Sequence, residues 1–506
     1  MKNNIKYFEI TSILYALFFT FCLYNNSKGV TFPFFVAGTL YYFYLCMKKS
    51  GVEKERKTIA YKKGDWFYII SLLLLGISVF LTNDSRIIFI TKICIFILFT
   101  LFLLHHYYDD TKWNFTKYLQ SIVEAIVYAI GSIGYPITDF ISFAQEKKNS
   151  STDNNEDKLP KEDTKVKSVL LGIAITIPLL IVVVFMLASA DLVFRTICSN
   201  FLKLIQFETI VGIVFMTNIG YFGSYSIIHS LYKKEIKEEC TPVKEKEPVL
   251  AITFTSVISL VYLLFSGIQI FYLFLGNMNL PDNYTYAQYA HQGFYQLLFI
   301  CILNLILVLI CVTIFRESKI LKILLCIICI CTYVMTASSA YRMYLYVDVY
   351  HFTFLRLMVF FLLALISVIM FGIMITILRK QFRLFRYCMI IVTIFAIILS
   401  YSHPDYLIAK YNIQNTISIK YDNATTESEY YFRDIPYLTN LSKDAAPVLL
   451  NVNNFEKLYK IAPQEMNDYL QNCRDASLTK KLNIRNFNVS TYFHNKYANE
   501  FRYNFL

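Results

Sequence analysis

Apolar and polar stretches alternate along the first 400 residues with a length that matches a lipid bilayer. A spanning helix needs about 20 apolar residues, because the hydrocarbon core is about 30 Å thick and a helix rises about 1.5 Å per residue. We therefore expect an all-α polytopic transmembrane helical bundle. The pattern predicts eleven spanning helices, at residues 6–24, 30–47, 66–82, 87–107, 168–189, 205–230, 249–275, 294–315, 320–338, 355–378 and 387–400.

Lysine and arginine are concentrated in every second gap between these predicted helices. The gaps on one side, together with the amino terminus, carry 29 basic residues, and those on the other side carry 5. Basic loops are retained in the cytoplasm. We therefore expect a cytoplasmic amino terminus and, with an odd number of helices, an extracytoplasmic carboxyl terminus.

The composition supports a membrane protein. Hydrophobic residues make up 56% of the 506 positions and charged residues only 17%, whereas soluble domains carry about 25% charged residues. The lipid bilayer is therefore an expected partner. The net charge of +12 arises mostly from the basic gaps, so we expect no nucleic acid partner.

The chain is predicted to contain four regions. Residues 118–143 combine apolar and polar positions at helical spacing, which favours an amphipathic interfacial helix, although a re-entrant half-helix fits as well. Residues 145–167 contain no aromatic side chain and almost no apolar one, so a disordered linker is expected. The regions are a four-helix transmembrane region 1–117, the interfacial helix and cytoplasmic linker 118–167, a seven-helix transmembrane region 168–400, and an extracytoplasmic helical tail domain 401–506.

The tail has the periodicity of a small helical domain. Apolar residues recur at helical spacing from Ile435 to Leu449, with Asp434 and Ser442 as expected helix caps. Further helices are predicted at 404–414, 463–475 and 488–502. Residues 401–506 could also bind a protein partner of the cell envelope.

Polar side chains gather at the predicted outer ends of the spanning helices. They form a candidate outer polar cluster of Asp191, Arg195, Tyr289, Arg342, Tyr346, Asp348, His351 and Arg356. One interpretation is an aromatic belt with arginines that anchor helices at the headgroups. The other is an outward-facing polar pocket, since arginine within a membrane is costly unless it is paired or used. Arg356 is the best single candidate, with Asp348 or Asp191 as its expected partner.

A second group of polar residues follows the predicted helix 87–107. His105, His106, Asp109 and Asp110 form two His/Asp pairs at a spacing of four, which could ligate a divalent metal. No further ligand stands at a defined spacing from them. We therefore expect no metal and no cofactor.

Several runs in the second half of the chain resemble a known family. They are YAQYAHQGFYQLLFICILNLILV, SSAYRMYLYVDVYHFTFLR, HPDYLIAKYNI and DIPYLTNLSKDAAPVLL. They resemble the bacterial membrane proteins called domain of unknown function 4173, over roughly residues 252–501. His291 and His403 depart from that pattern, which tends to have Arg and Asn at these positions.

The resemblance implies a multi-pass membrane protein with an external helical carboxyl terminus and no established activity. It therefore supplies no catalytic residue. It also implies a candidate tail motif of Asp405, Tyr411, Asn412, Asp434, Tyr437, Ser442 and Asp444.

The sequence leaves three functions open. It lacks the glycine-rich phosphate-binding, zinc-protease and serine-hydrolase motifs. We favour a non-enzymatic envelope protein that senses or scaffolds through its outer loops and tail. The alternatives are a transporter or channel for a small solute, and an enzyme that acts on a lipid-linked substrate at the outer leaflet.

Overall fold

The fold is described from a computed structural model of the chain. The described residues are 5–50, 64–139, 142, 176, 183–197, 206–233, 236–238, 246–271, 293–379, 382–418, 435–479 and 483–505. The predicted linker 145–167 and most of the predicted helix 168–189 lie outside them.

These residues form helices, and no named β-strand occurs among them. The first eight helices are α1 (Ile5–Leu23), α2 (Thr31–Ser50), α3 (Asp65–Leu81), α4 (Ser85–Tyr107), α5 (Phe115–Gly131), α6 (Phe207–Lys233), α7 (Pro248–Gln269) and α8 (Phe294–Ile314). The next three are α9 (Lys319–Tyr350), α10 (Phe354–Leu378) and α11 (Leu384–Tyr401). The tail contains α12 (Pro404–Ser418), a 3₁₀ turn (Lys443–Ala445), α13 (Ala446–Leu449), α14 (Val452–Ile461), α15 (Pro463–Thr479) and α16 (Val489–Phe505).

Eight of the described helices are long and apolar enough to cross a membrane: α1, α4 and α6 to α11. Helix α3 is also apolar but has only 17 residues. In lipid the backbone must satisfy its own hydrogen bonds, which a helix does within one segment. The prediction of an all-α, multi-pass membrane protein is therefore confirmed.

Helix α9 extends further than the sequence predicts. We expected it to end at residue 338, but it continues to Tyr350 and ends at His351, which has a left-handed φ of 59°. Arg342, Tyr346 and Asp348 are therefore helical rather than in a loop. Hydropathy falls after residue 338, but residues 339–350 contain no glycine or proline that would interrupt a helix. The helical backbone therefore continues.

The described residues fall into two compact units. The first lies within Met1–Asn25, Gly38–Ala60 and Ile126–Glu235. In it, α1 packs against α6, and the hydroxyl groups of Thr20 and Thr217 lie 2.9 Å apart. A Cβ atom on Gly220 would lie 3.1 Å from the Cα atom of Ala16. Small residues thus allow the close helix approach that is common in membranes.

The second unit lies within Asn26–Ala37, Tyr61–Ala125 and Ile236–Leu506. The amide of Asn304 on α8 bonds the hydroxyl groups of Tyr262 on α7, at 2.7 Å, and Thr332 on α9, at 2.9 Å. Such side chains link helices that have no hydrophobic driving force between them in lipid.

Helices α3, α4 and α11 form a three-helix group in the second unit. The hydroxyl groups of Thr91 and Ser400 lie 2.7 Å apart between α4 and α11. The Tyr401 hydroxyl donates to the Leu74 carbonyl on α3, at 2.8 Å. The carboxyl-terminal ends of α3 and α11 and the amino-terminal end of α4 lie at the same end of this group.

Helix α5 carries exposed apolar side chains at Leu119, Val123 and Val127, which share one helical face. Its interpretation as an interfacial helix stays a prediction, as do the four predicted regions.

The helical tail has its own apolar core. Leu438, Leu449, Leu458 and Met466 are almost completely buried together with residues of α12 and α16. The tail helices thus share one apolar core.

We predict that Leu449→Ala destabilises the tail by about 2–5 kcal/mol, because it leaves a cavity at a position with 1% exposure. Pulse proteolysis in urea on the detergent-solubilised full chain measures this free energy. Leu478→Ala is the matched control, since Leu478 lies in the same tail at 70% exposure. An equal effect of the two substitutions would contradict the described core.

Candidate functional site

A buried polar cluster lies where α3 and α11 end and α4 begins. We call it the junction cluster. It consists of Thr82, Asn83, Asp84, Arg86, His403, Asp405, Ser442, Asp444 and Ser490. It joins the loop between α3 and α4 to three parts of the tail.

Asp444 is the centre of the junction cluster. Its Oδ1 atom accepts hydrogen bonds from the Asn83 backbone amide, at 2.8 Å, and from the Ser490 hydroxyl. Its Oδ2 atom accepts one from the Thr82 hydroxyl and lies 3.1 Å from Nδ1 of His403. One carboxylate therefore holds the α3–α4 loop, the α11–α12 connection and the start of α16.

Two further carboxylates converge on Arg86. The guanidinium donates to Asp84, at 2.8 and 2.9 Å, and to Oδ1 of Asp405, at 2.6 Å. It also lies over the ring of Phe354, 3.8 Å from the centroid. Since Asp84 and Asp405 are almost completely buried, Arg86 offsets the cost of placing their charges away from water.

The local sequence explains this geometry. Asp84 caps α4, and its side chain accepts a hydrogen bond from the Arg86 backbone amide at 2.9 Å. This is the usual role of aspartate at a helix start. His403 has a left-handed φ of 45°, which turns the chain between α11 and α12 and brings its ring to Asp444.

The amide of Asn488 adds a second connection to the tail. Its Nδ2 atom lies within 3.0 Å of the carbonyl oxygens of Lys28, Phe80 and Thr82. Phe80 is in the last turn of α3, where carbonyls have no partner within the helix. The tail thus satisfies backbone groups at the end of a transmembrane helix.

The electrostatics of Asp444 favour its charged form. Burial alone would raise its pKa, but hydrogen bonds from His403, Ser490, Thr82 and the Asn83 amide lower the pKa below the ordinary carboxyl value. The carboxylate is therefore ionised at neutral pH.

The predicted tail motif meets this region. Asp405, Ser442 and Asp444 belong to the junction cluster. The Asn412 side chain forms two hydrogen bonds of 2.9 Å with the backbone of Phe352. Asp434 lies outside the described residues.

Two tyrosines of the motif contact the connection between α9 and α10, one at Phe352 and the other at Phe354, the first residue of α10. The Tyr437 hydroxyl accepts a 2.8 Å hydrogen bond from the Phe354 amide. The ring of Tyr411 lies edge-on to the ring of Phe352, at 4.7 Å. The tail thus holds the connection between α9 and α10.

Ser442 does not act as the side-chain cap that we expected. It occupies the cap position of the 3₁₀ turn without a side-chain hydrogen bond. Instead its backbone amide donates to Oδ2 of Asp405, at 2.8 Å. Both oxygens of the buried Asp405 carboxylate thus accept a hydrogen bond, Oδ1 from Arg86 and Oδ2 from the Ser442 amide.

The residues of the predicted outer polar cluster have different surroundings. In the first unit, exposed Asp191 accepts from the backbone amides of Val193 and Phe194, at 2.6 and 3.1 Å, and Arg195 is also exposed. In the second unit, Arg342 is buried, with Nη2 3.4 Å from Oε1 of Gln269. Tyr289 lies outside the described residues.

Arg356 contacts the end of α9. Its Nη1 atom donates to the carbonyls of Tyr350, at 2.5 Å, and His351, and its guanidinium lies 4.3 Å from the ring centroid of Tyr346. A cation suits the carbonyl end of a helix because of the helix dipole. Asp348 is exposed on α9.

The opposite end of the three-helix group contains the histidines singled out above. His105 Nδ1 lies 2.7 Å from Oδ2 of Asp110, and His106 Nδ1 lies 2.9 Å from Oδ2 of Asp65. These pairs differ from the predicted spacing of four, because α4 ends at Tyr107 and Asp109 lies beyond it. Among the described residues, no group of three or more His, Cys, Asp or Glu side chains is placed to hold a metal.

Sequence reasoning missed most of the membrane half of the junction cluster. Thr82, Asn83 and Asp84 form a short polar interruption between two apolar runs, followed closely by Arg86. The helix-capping pattern at Asp84 was the available signal. No sequence pattern around Ser490 indicated that it belongs to the cluster.

Comparisons with known proteins give a family and no further relatives. Residues 69–452 match the family described as Domain of unknown function (DUF4153). The resemblance to domain of unknown function 4173 is therefore wrong, although both descriptions lack an activity. No curated protein and no solved structure matches the chain.

We predict that Asp444→Asn lowers the free energy of tail unfolding by about 1–3 kcal/mol, because buried donors lose their charged acceptor. The lowered pKa of Asp444 also predicts how this stabilisation changes with pH. The stabilisation is fully present above the ordinary carboxyl pKa of about 3.9 and is lost as the pH falls through the still lower folded pKa.

Urea unfolding of the full chain in detergent, followed by circular dichroism between pH 7 and 3, measures both effects. Asp468→Asn is the control, since Asp468 is exposed in the same tail. A wild-type protein and an Asp444→Asn variant with the same acid dependence would contradict the assigned role of Asp444.

Proposed function

Since this chain belongs to the family Domain of unknown function (DUF4153), whose description gives no activity, we propose a function from the geometry. The protein is a non-enzymatic membrane protein that senses or scaffolds through its tail. The tail is held in a fixed position on the transmembrane helices of its own unit.

The junction cluster is the observation that carries this proposal. The buried carboxylates of Asp444 and Asp405 link the tail to the α3–α4 loop and to Arg86 in the first turn of α4 by charge-assisted hydrogen bonds. Hydrogen bonds to charged groups contribute about 1.5–3 kcal/mol each. A tail fixed in this way can present a surface to a partner or transmit binding to the helices, which a flexibly tethered domain does poorly.

The side of the membrane follows from the charge asymmetry. Loops that are rich in lysine and arginine stay in the cytoplasm, and the junction cluster lies at the end of the α3–α4–α11 group away from those loops. We propose that the amino terminus is cytoplasmic and that the tail faces the extracytoplasmic side of the cell envelope.

The tail has exposed apolar side chains that fit a protein partner. Leu478 is 70% exposed and Ile484 is 92% exposed. Contiguous exposed apolar patches mark protein interfaces, and we propose that these two side chains belong to one. We therefore place the partner-binding surface of residues 401–506 around these two positions.

The transporter and lipid-enzyme hypotheses have less support. The transporter hypothesis is motivated by spanning helices with scattered polar residues, and the lipid-enzyme hypothesis by Arg342, Asp348, His351 and Arg356. Arg356 is the best single candidate for a group that faces a substrate. Its described contacts are backbone carbonyls and the ring of Tyr346, which is the environment of a helix-capping arginine.

We predict that alkaline phosphatase fused after Leu506 is active in a bacterial host, because this enzyme folds only on the oxidising extracytoplasmic side. A fusion after Lys233, in a predicted cytoplasmic gap, is the inactive control. If only the Lys233 fusion were active, the proposed orientation would be contradicted.

We also predict that a photo-crosslinker at Ile484 captures one recurring envelope protein in intact cells. The same crosslinker at buried Met466, which has 0% exposure, is the control for position. Asp444→Ala should reduce the yield several-fold, since it releases the tail from the helices. Only lipid adducts from Ile484 across growth conditions would contradict the scaffolding proposal.

A further inference from the structure

A cavity of about 330 Å³ lies at the other end of the α3–α4–α11 group, where α11 begins. Its walls include the aromatic side chains of Trp113, Phe382 and Phe385. Thr313 and Thr376, in the last turns of α8 and α10, also line it. The cavity therefore lies at the level where spanning helices end, which is the level of lipid headgroups.

Two guanidinium groups give the cavity a positive character. Arg383 is exposed and forms no ion pair within the described part of the chain. Arg386 is 31% exposed, with Nη2 3.4 Å from Oδ1 of Asp110. Arginine suits phosphate because its planar fork of N–H groups matches the phosphate oxygens.

The carboxylate of Asp110 also lines the cavity, but its charge is already matched. Its Oδ2 atom lies 2.7 Å from Nδ1 of His105 and 2.8 Å from the Tyr118 hydroxyl. Its Oδ1 atom faces Arg386. Among the described residues that line the cavity, Arg383 is then the cation left for a ligand.

Trp113 supplies an independent indication of a ligand. It is only 8% exposed, and its indole Nε1 has no hydrogen-bond partner within the described residues. Buried polar groups are nearly always hydrogen-bonded, and an indole nitrogen is a donor only. The missing partner is therefore an acceptor.

The first residues of α11 also line the cavity. Arg383 is the cap residue and forms no side-chain cap hydrogen bond. The first backbone amides of a helix lack partners within it, and the helix dipole favours an anion there. The Arg383 guanidinium, the Trp113 side chain and the first residues of α11 thus line one space.

We propose that this cavity binds the phosphate headgroup of an anionic glycerophospholipid from the adjoining leaflet. A free phosphate ion shares the headgroup chemistry but is much smaller than the cavity. The aromatic walls and the position at the ends of α8 and α10 fit a headgroup whose acyl chains remain in the bilayer. The site is separate from the junction cluster, so it does not depend on the proposed function of the tail.

Trp113 provides a direct readout. The chain has two tryptophans, and the other, Trp66, is 61% exposed, so Trp66→Phe leaves Trp113 as the only tryptophan, and its emission is followed under tryptophan-selective excitation. The full-length Trp66→Phe protein is reconstituted in phosphatidylcholine bilayers. Phosphatidylglycerol with brominated acyl chains is then titrated in, with brominated phosphatidylcholine as the neutral arm.

We expect brominated phosphatidylglycerol to quench Trp113 saturably at a few mole per cent, and brominated phosphatidylcholine to quench it only in proportion to its concentration. Arg383→Gln should raise the half-saturating phosphatidylglycerol content about fivefold or more. Arg379→Gln is the matched control, because Arg379 is exposed on the same connection but does not line the cavity. It should change the midpoint by less than about twofold.

Three results would overturn the proposal. Equal quenching by the two lipids would indicate unselective lipid contact. Equal effects of the two arginine substitutions would indicate general surface attraction. Complete protection by millimolar inorganic phosphate would indicate a site for a soluble anion instead of a lipid.

Discussion

The ionised carboxylate of Asp444 is the constraint on which the second unit depends. A buried charge is costly unless hydrogen bonds and opposite charges compensate it. Here the compensating groups come from the α3–α4 loop, from His403 between α11 and α12, and from the first turn of α16. The carboxylate is satisfied only when all three meet, so its burial determines where the tail docks.

The buried acidic side chains at the two ends of the α3–α4–α11 group are compensated in different ways. At the junction cluster, acidic side chains are enclosed by protein donors and by Arg86. At the other end, His105 and Arg386 pair with Asp110, and a cavity remains beside Trp113. One end is thus closed by the protein itself, whereas the other contains a cavity lined by Arg383 and Trp113.

The helical architecture followed from the sequence because a membrane imposes a simple length rule on apolar segments. The rule failed at α9, where hydropathy ends near residue 338 but the helix continues to Tyr350. The rule also did not predict the contacts of Asp84. Its carboxylate pairs with Arg86, two positions away, and Arg86 also pairs with Asp405. Hydropathy describes contact with lipid and carries no information about which polar side chains meet.

The sequence by itself determined the membrane class, the helical tail and the distribution of basic loops, because apolar length and charge are properties of single segments. Only the tertiary structure decided that Asp444 meets Thr82 and Asn83, that Arg356 caps α9, and that Trp113 lies in a cavity beside Arg383. Thr82 and Asp444 are 362 positions apart. Such pairings depend on how helices pack, which no local pattern of residues encodes.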